Sequence, residues 1–158
     1  MSLPSLSALR SIRSNGGRTL RWRWLSLRAH VVALLLAAYV EVTFRLVPVD
    51  RLARHLGTPL DRSAADGPLP PELDLEDLSY RQWLRVTAID RIYRWWPFGD
   101  TCLRRSLAWG RVLRGRSPRL RIGVARGDDG LVKAHSWLEF DGRCLGSSTE
   151  LAYETLGR

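Results

Sequence analysis

Cys102 and His135 are the two residues of this 158-residue chain whose types and settings suit nucleophilic catalysis. Cys102 follows Trp95-Trp96-Pro97-Phe98-Gly99-Asp100-Thr101, and its position reads as the opening of a helix. The first turn of a helix has unpaired N–H groups and a partial positive charge. A thiol there is biased toward thiolate, the reactive form of cysteine. The same N–H groups can hold the oxyanion of a tetrahedral intermediate, where one lost donor typically costs about 10²- to 10³-fold in rate. The bland alternative is a small buried thiol filling space.

His135 supplies the base such a thiol needs. It sits in Ala134-His135-Ser136-Trp137-Leu138-Glu139, which alternates as a strand. Alternation puts Val132, Ala134, Leu138 and Phe140 on one face and His135, Trp137 and Glu139 on the other. Taken singly, a strand histidine is more often structural than catalytic. A helix-start cysteine followed by a strand histidine shifts the balance toward a dyad. Trp96, Thr101 and Trp137 flank the pair and are the candidate substrate contacts.

A catalytic base also wants a partner on its second ring nitrogen. Asp141-Gly142 signals a tight hairpin. A two-residue loop sets His135 opposite Ser148, and a three-residue loop sets it opposite Ser147. Asp141 itself lies roughly 20 Å along the strand at about 3.3 Å per residue, which is out of reach. Glu139 shares the face but is also distant, whereas Glu150 could reach back. Ser147 or Ser148, then Glu150, then no side chain at all remain as the orienting choices. Cys144, on the next strand, reads as core filling.

Several elements must bring these residues together. Residues 1–19 are rich in Ser, Gly and Arg and read as a disordered basic tail. A helix is expected from about Trp24 to Leu46, with Leu27, Val31, Leu34, Leu35, Ala38 and Val42 at helical spacing, ended by Pro48. Asp50 can cap a short helix over Arg51–Leu56, stopped by Gly57. Residues 57–73 carry four prolines and read as a surface linker. A third helix is expected over Leu78–Trp95, capped by Asp77 or Ser79. A fourth begins at Asp100 or Thr101 and runs to about Leu113, closed by Gly115. The period then changes to two, giving strands over Arg119–Arg126, Leu131–Phe140 and Arg143–Ser147. Helices first and an antiparallel sheet last define an α+β fold. One domain over 20–158 is expected, with a helical half at 20–96 and a catalytic half at 97–158.

Composition narrows the setting. The net charge is +9, and Lys133 is the only lysine. The arginines are scattered, densest at Arg10, Arg13, Arg18, Arg21, Arg23 and Arg28, which favours a generally basic surface over a nucleic-acid site. Two cysteines make no disulfide framework, and no metal-binding CxxC exists. A cytoplasmic protein with reduced thiols and no cofactor or metal is the expectation. The apolar run Val31–Val40 is too short to cross a bilayer, which takes about 20 residues. It reads as a core helix, with docking on a membrane surface or a partner protein as the lesser reading.

The segment Thr101–Glu139 resembles the leader peptidases of lasso-peptide biosynthesis, the stand-alone B2 proteins of the transglutaminase-like superfamily. The matching residues are Cys102-Leu103-Arg104-Arg105-Ser106-Leu107, then Leu120-Arg121-Ile122-Gly123-Val124, then Ala134-His135-Ser136-Trp137-Leu138-Glu139-Phe140-Asp141-Gly142. Order and gaps fit, including a proline shortly before the cysteine. Arg45-Leu46-Val47-Pro48 and Leu52-Ala53-Arg54-His55-Leu56-Gly57 also look like the family, so the likeness covers most of 20–156. The resemblance implies a papain/transglutaminase-like fold and a thiol peptidase that cuts the leader from a ribosomally made precursor peptide. Cys102 and His135 take the family's catalytic places. The family's aspartate is replaced by Ser147 in this chain. A separate leader-recognition protein and a lasso cyclase are implied as partners. A non-catalytic peptide-binding subunit on the same fold is the first alternative. A nucleic-acid-binding protein is a weaker one, and a cross-linking transglutaminase would use the same dyad.

Overall fold

Pro48 and Gly57 punctuate the helical half. In the computed structural model, backbone is described for residues 6–62, 70–99, 101–126, 131–146 and 154–155, and side chains for the same set without 6–21, 125–126 and 154–155. Helix α1 spans Leu6–Leu46 and so begins inside the stretch expected to be disordered. Helix α2, Val49–Leu56, starts after Pro48 and closes on Gly57, whose φ of +78° glycine adopts without strain. Helix α3, Tyr80–Arg94, opens on Ser79, whose hydroxyl and the Gln82 side chain complete a reciprocal capping box. Helix α4 is Cys102–Leu113.

α1 turns Ala29, Ala33, Ala37 and Val40 inward, at steps of four, four and three residues. Their small side chains let α3 and α4 approach its backbone closely. The opposite side of α1 is exposed, including Leu27, Val31, Leu34, Leu35 and Val42. This corrects the expectation of a core helix. The apolar stretch is also longer than Val31–Val40: Trp22–Leu46 is long and apolar enough to cross a membrane. Glu41 does not end it, because that carboxylate is buried among partners.

The sheet has strands β1 (Arg119–Arg126), β2 (Val132–Phe140), β3 (Arg143–Leu145) and β4 (Glu154–Thr155), in the order β3-β2-β1-β4. All adjacent pairs are antiparallel. β4 has no counterpart in the sequence reading. Asp141 and Gly142 take φ of +51° and +70°, and Phe140 pairs with Arg143, so the hairpin has the two-residue loop. Leu120, Leu138, Phe140 and Leu145 meet the helices in one apolar core, whose centre includes Leu107 and Leu113 of α4. Full burial of such a leucine is worth about 1.5–3 kcal/mol.

The proline-rich connection is more than a surface linker. Thr58 is fully buried, and Leu60 bridges Leu120 at one edge of the sheet. Glu72 bridges Cys144 at the other edge. Thr58 also sits where a Cβ on Gly110 would be 2.5 Å from its Cγ2, so a glycine in α4 lets the connection lie against that helix.

Candidate active site

Helix α4 starts where three local signals agree. Pro97 follows the end of α3, Gly99 takes φ of +82°, and Thr101 caps α4 by accepting from the Arg104 amide at 3.4 Å. Of the first amides a helix cannot pair internally, those of Cys102 and Leu103 remain after Arg104 is capped. They are the candidate oxyanion donors.

Cys102 and Ser106 stand four residues apart and therefore share one face of α4. That face meets β2. Ser106 Oγ donates to the Ser136 carbonyl at 3.2 Å, pinning α4 to the strand one turn beyond the nucleophile. Cys102 itself is paired with the His135 imidazole and lies beside Ser136. The imidazole bond is the main cause that brings the thiol from an ordinary 9.0 down to about 7; burial opposes it, and Ser136 reinforces it. His135 is shifted in the complementary direction, upward, chiefly by its bond to Cys102. Burial and the nearby Arg105 oppose that rise, and the Gly146 carbonyl adds to it. The two shifts favour a thiolate–imidazolium pair.

His135 is oriented from its far side by main chain. Its Nε2 lies 2.6 Å from the Gly146 carbonyl oxygen, the geometry of an N–H donor to that acceptor, which leaves Nδ1 for the thiol. Gly146 takes φ of +81°, and a Cβ there would be 2.5 Å from Trp109 Cζ3, so only glycine brings this carbonyl so close to α4. On the other side, the ring stacks on Trp137 at 6.3 Å and 16°. Trp137 Nε1 donates to Glu139 Oε1 at 2.9 Å, and Arg121 Nε donates to Glu139 Oε2 at 3.0 Å. Gly123, directly opposite His135 on β1, adds no side chain beside the ring.

The sequence expectations sort unevenly against this geometry. Cys102 and His135 are brought together. Ser147, Ser148 and Glu150 lie outside the described residues; among the described ones the Gly146 carbonyl does the orienting. Cys144 is buried and donates to the Pro70 carbonyl at 3.0 Å, away from the pair. Trp137 is corrected as a substrate contact: it is fully buried and supports the imidazole instead. Trp96 is half-buried, with Nε1 donating to Glu41 at 3.3 Å, so it is an anchor rather than an open wall. Thr101 is exposed beside the nucleophile, with its hydroxyl engaged as the cap. Trp95 and Phe98 are exposed in the loop that leads into α4.

Ser136, Gly146 and the Glu41–Arg104 contact were not singled out from sequence. Ser136 had a readable signal, since it directly follows the histidine on a strand that must face a helix. Among the described residues, no group of three or more His, Cys, Asp and Glu gathers to hold a metal. Chemically, the site can offer a thiolate to an acyl carbon and return a proton to the leaving group.

The family comparison agrees with this architecture. The sequence model of the transglutaminase-like superfamily matches residues 43–157. The chain belongs to the transglutaminase-like superfamily, and its α+β fold is that of the papain-like cysteine enzymes. No curated protein and no solved structure matches the chain.

Proposed function

We propose that this protein is a cysteine peptidase that removes the leader from a ribosomally synthesised lasso precursor peptide. The observation that carries the reading is the hydrogen-bonded pair of Cys102 and His135, with the thiol brought down to about 7 at the start of a helix. The resemblance of Thr101–Glu139 to the lasso leader peptidases supplies the substrate class.

Cys102 thiolate attacks the carbonyl carbon of the leader–core bond, and the oxyanion forms beside the amides of Cys102 and Leu103. His135 gives its proton to the departing amine as the C–N bond breaks, leaving a thioester. Water, deprotonated by His135, then adds to the thioester and expels the thiol. The amine freed on the core is the group that a separate lasso cyclase joins to a carboxylate. A separate recognition protein holds the leader, and the reaction runs in the reducing cytoplasm, where both thiols stay free.

The test is incubation of the purified chain with precursor peptide and the recognition protein, followed by mass analysis for the freed leader. Cys102→Ala abolishes the product and Cys144→Ala spares it. Retention of cleavage by Cys102→Ala overturns the nucleophile assignment. Ser147 at the family's aspartate position favours a second reading, a non-catalytic peptide-binding subunit. That reading gives leader binding without cleavage by the unaltered protein.

A further inference from the structure

α1 carries an apolar surface that the catalytic half does not use. Going round the helix at about 100° per residue, the exposed Leu34, Leu27, Val31, Trp24, Leu35 and Val32 span about half its circumference, with the exposed Arg28 between Leu35 and Val32. Leu35 is 65% exposed and Trp24 67%. The opposite side, from Ala29 to Val40, is closed by the body of the domain. The superfamily match begins at residue 43, so most of this surface belongs to an extension of the family domain.

Charge indicates what covers it. Residues 1–40 contain six arginines and no acidic residue. The first acidic side chain, Glu41, is buried and engaged by Arg45, Arg104 and Trp96. Arg28, with Arg81 and Arg85 of α3, borders Leu25 and Val32 in the groove between the two helices. Trp24, exposed on this face at the arginine-rich end of the helix, is the type of residue that settles at a bilayer's polar boundary, whereas Trp22 packs edge-on against Tyr80 of α3.

We propose that α1 docks the domain on the surface of an anionic lipid bilayer. The breadth of the face distinguishes lipid from a partner helix: a two-stranded coiled-coil seam uses a narrow stripe of two positions in seven, whereas lipid wets a broad one. The bound side of α1 fixes the orientation. With Ala29, Ala33 and Ala37 against the domain, the helix lies along the membrane instead of spanning it, and the exposed Arg23 and Arg28 reach phosphate headgroups. The proposal does not depend on which peptide the dyad cleaves.

The experiment is flotation of the purified full-length chain with vesicles of phosphatidylcholine alone and with phosphatidylglycerol added. The expected result is binding to the anionic vesicles, about tenfold or more weaker on the neutral ones and reduced by added salt. Leu35→Glu, with circular dichroism and melting unchanged, reduces vesicle binding by about tenfold or more. The proposal is overturned if the unaltered chain floats with neither vesicle, or if Leu35→Glu floats as well as the unaltered chain. It is equally overturned if light scattering without lipid shows a dimer that Leu35→Glu converts to monomer, since a second copy then covers the face.

Discussion

The Gly146 carbonyl lies 2.6 Å from His135 Nε2, so the peptide backbone of the chain following β3 orients the imidazole that meets Cys102. A carbonyl serves here because the left-handed Gly146 lets the chain lie against Trp109. Gly146→Ala forces a Cβ into the Trp109 ring and strains the backbone. Turnover is expected to fall about 10²-fold through a misplaced imidazole, with KM little changed. Steady-state kinetics separates this from a binding defect, which raises KM and leaves kcat intact.

The thiolate–imidazolium pair sets the pH dependence. Because the Cys102 pKa is lowered to about 7, the reactive form appears as pH rises through about 7 instead of 9.0. Because that of His135 is raised, the proton needed by the leaving amine is retained above the ordinary histidine range and lost only at higher pH. The profile of kcat/KM is therefore a bell whose limbs belong to the pair jointly. Iodoacetamide alkylation of Cys102 should show a midpoint near about 7, moving upward in His135→Ala. A midpoint at the ordinary thiol value in the unaltered chain contradicts the pairing.

Ser136 lies beside the same thiol and helps to hold it below its ordinary value. Ser136→Ala removes the hydroxyl and keeps the amide. The alkylation midpoint is expected to move upward, by less than in His135→Ala, because the imidazole bond is the larger cause. Turnover should fall about tenfold or less, in line with one hydrogen bond to a partly exposed charge. An unmoved midpoint removes Ser136 from the site.

Much of this arrangement was legible because it is local chemistry. Thr101 before Cys102, Ser79 before Gln82 and Asp141-Gly142 each impose a cap or turn that short-range hydrogen bonding determines. The hairpin loop in turn set the register that carries His135 toward the chain after β3. Gly146 was illegible as the orienter because a main-chain acceptor has no residue signature. Trp137 was placed on the correct face, yet alternation assigns a face and not what covers it. Glu41 looked like the end of an apolar run because its partners Trp96 and Arg104 are distant in sequence. β4, two residues long, has no periodicity to read.

Glu41 ties α1 to the approach of helix α4. Its carboxylate, almost completely buried, is within 3.2 Å of Arg104 Nε and accepts from Trp96 Nε1 at 3.3 Å. Arg104 in turn donates to the Phe98 carbonyl at 3.1 Å, holding the loop that delivers Cys102. Glu41→Gln leaves the Arg104 guanidinium, itself mostly buried, without its counter-charge. Removing one member of a buried pair costs about 3 kcal/mol, whereas replacing both by apolar groups is often neutral. Urea unfolding should therefore show a loss of about 3 kcal/mol in Glu41→Gln and a smaller one in Glu41→Leu with Arg104→Met. The alkylation midpoint of Cys102 should stay near about 7 in Glu41→Gln, since Glu41 is not among the groups that shift the thiol. Equal destabilisation of the single and double variants means that the contact matters for shape alone, and the charge argument fails.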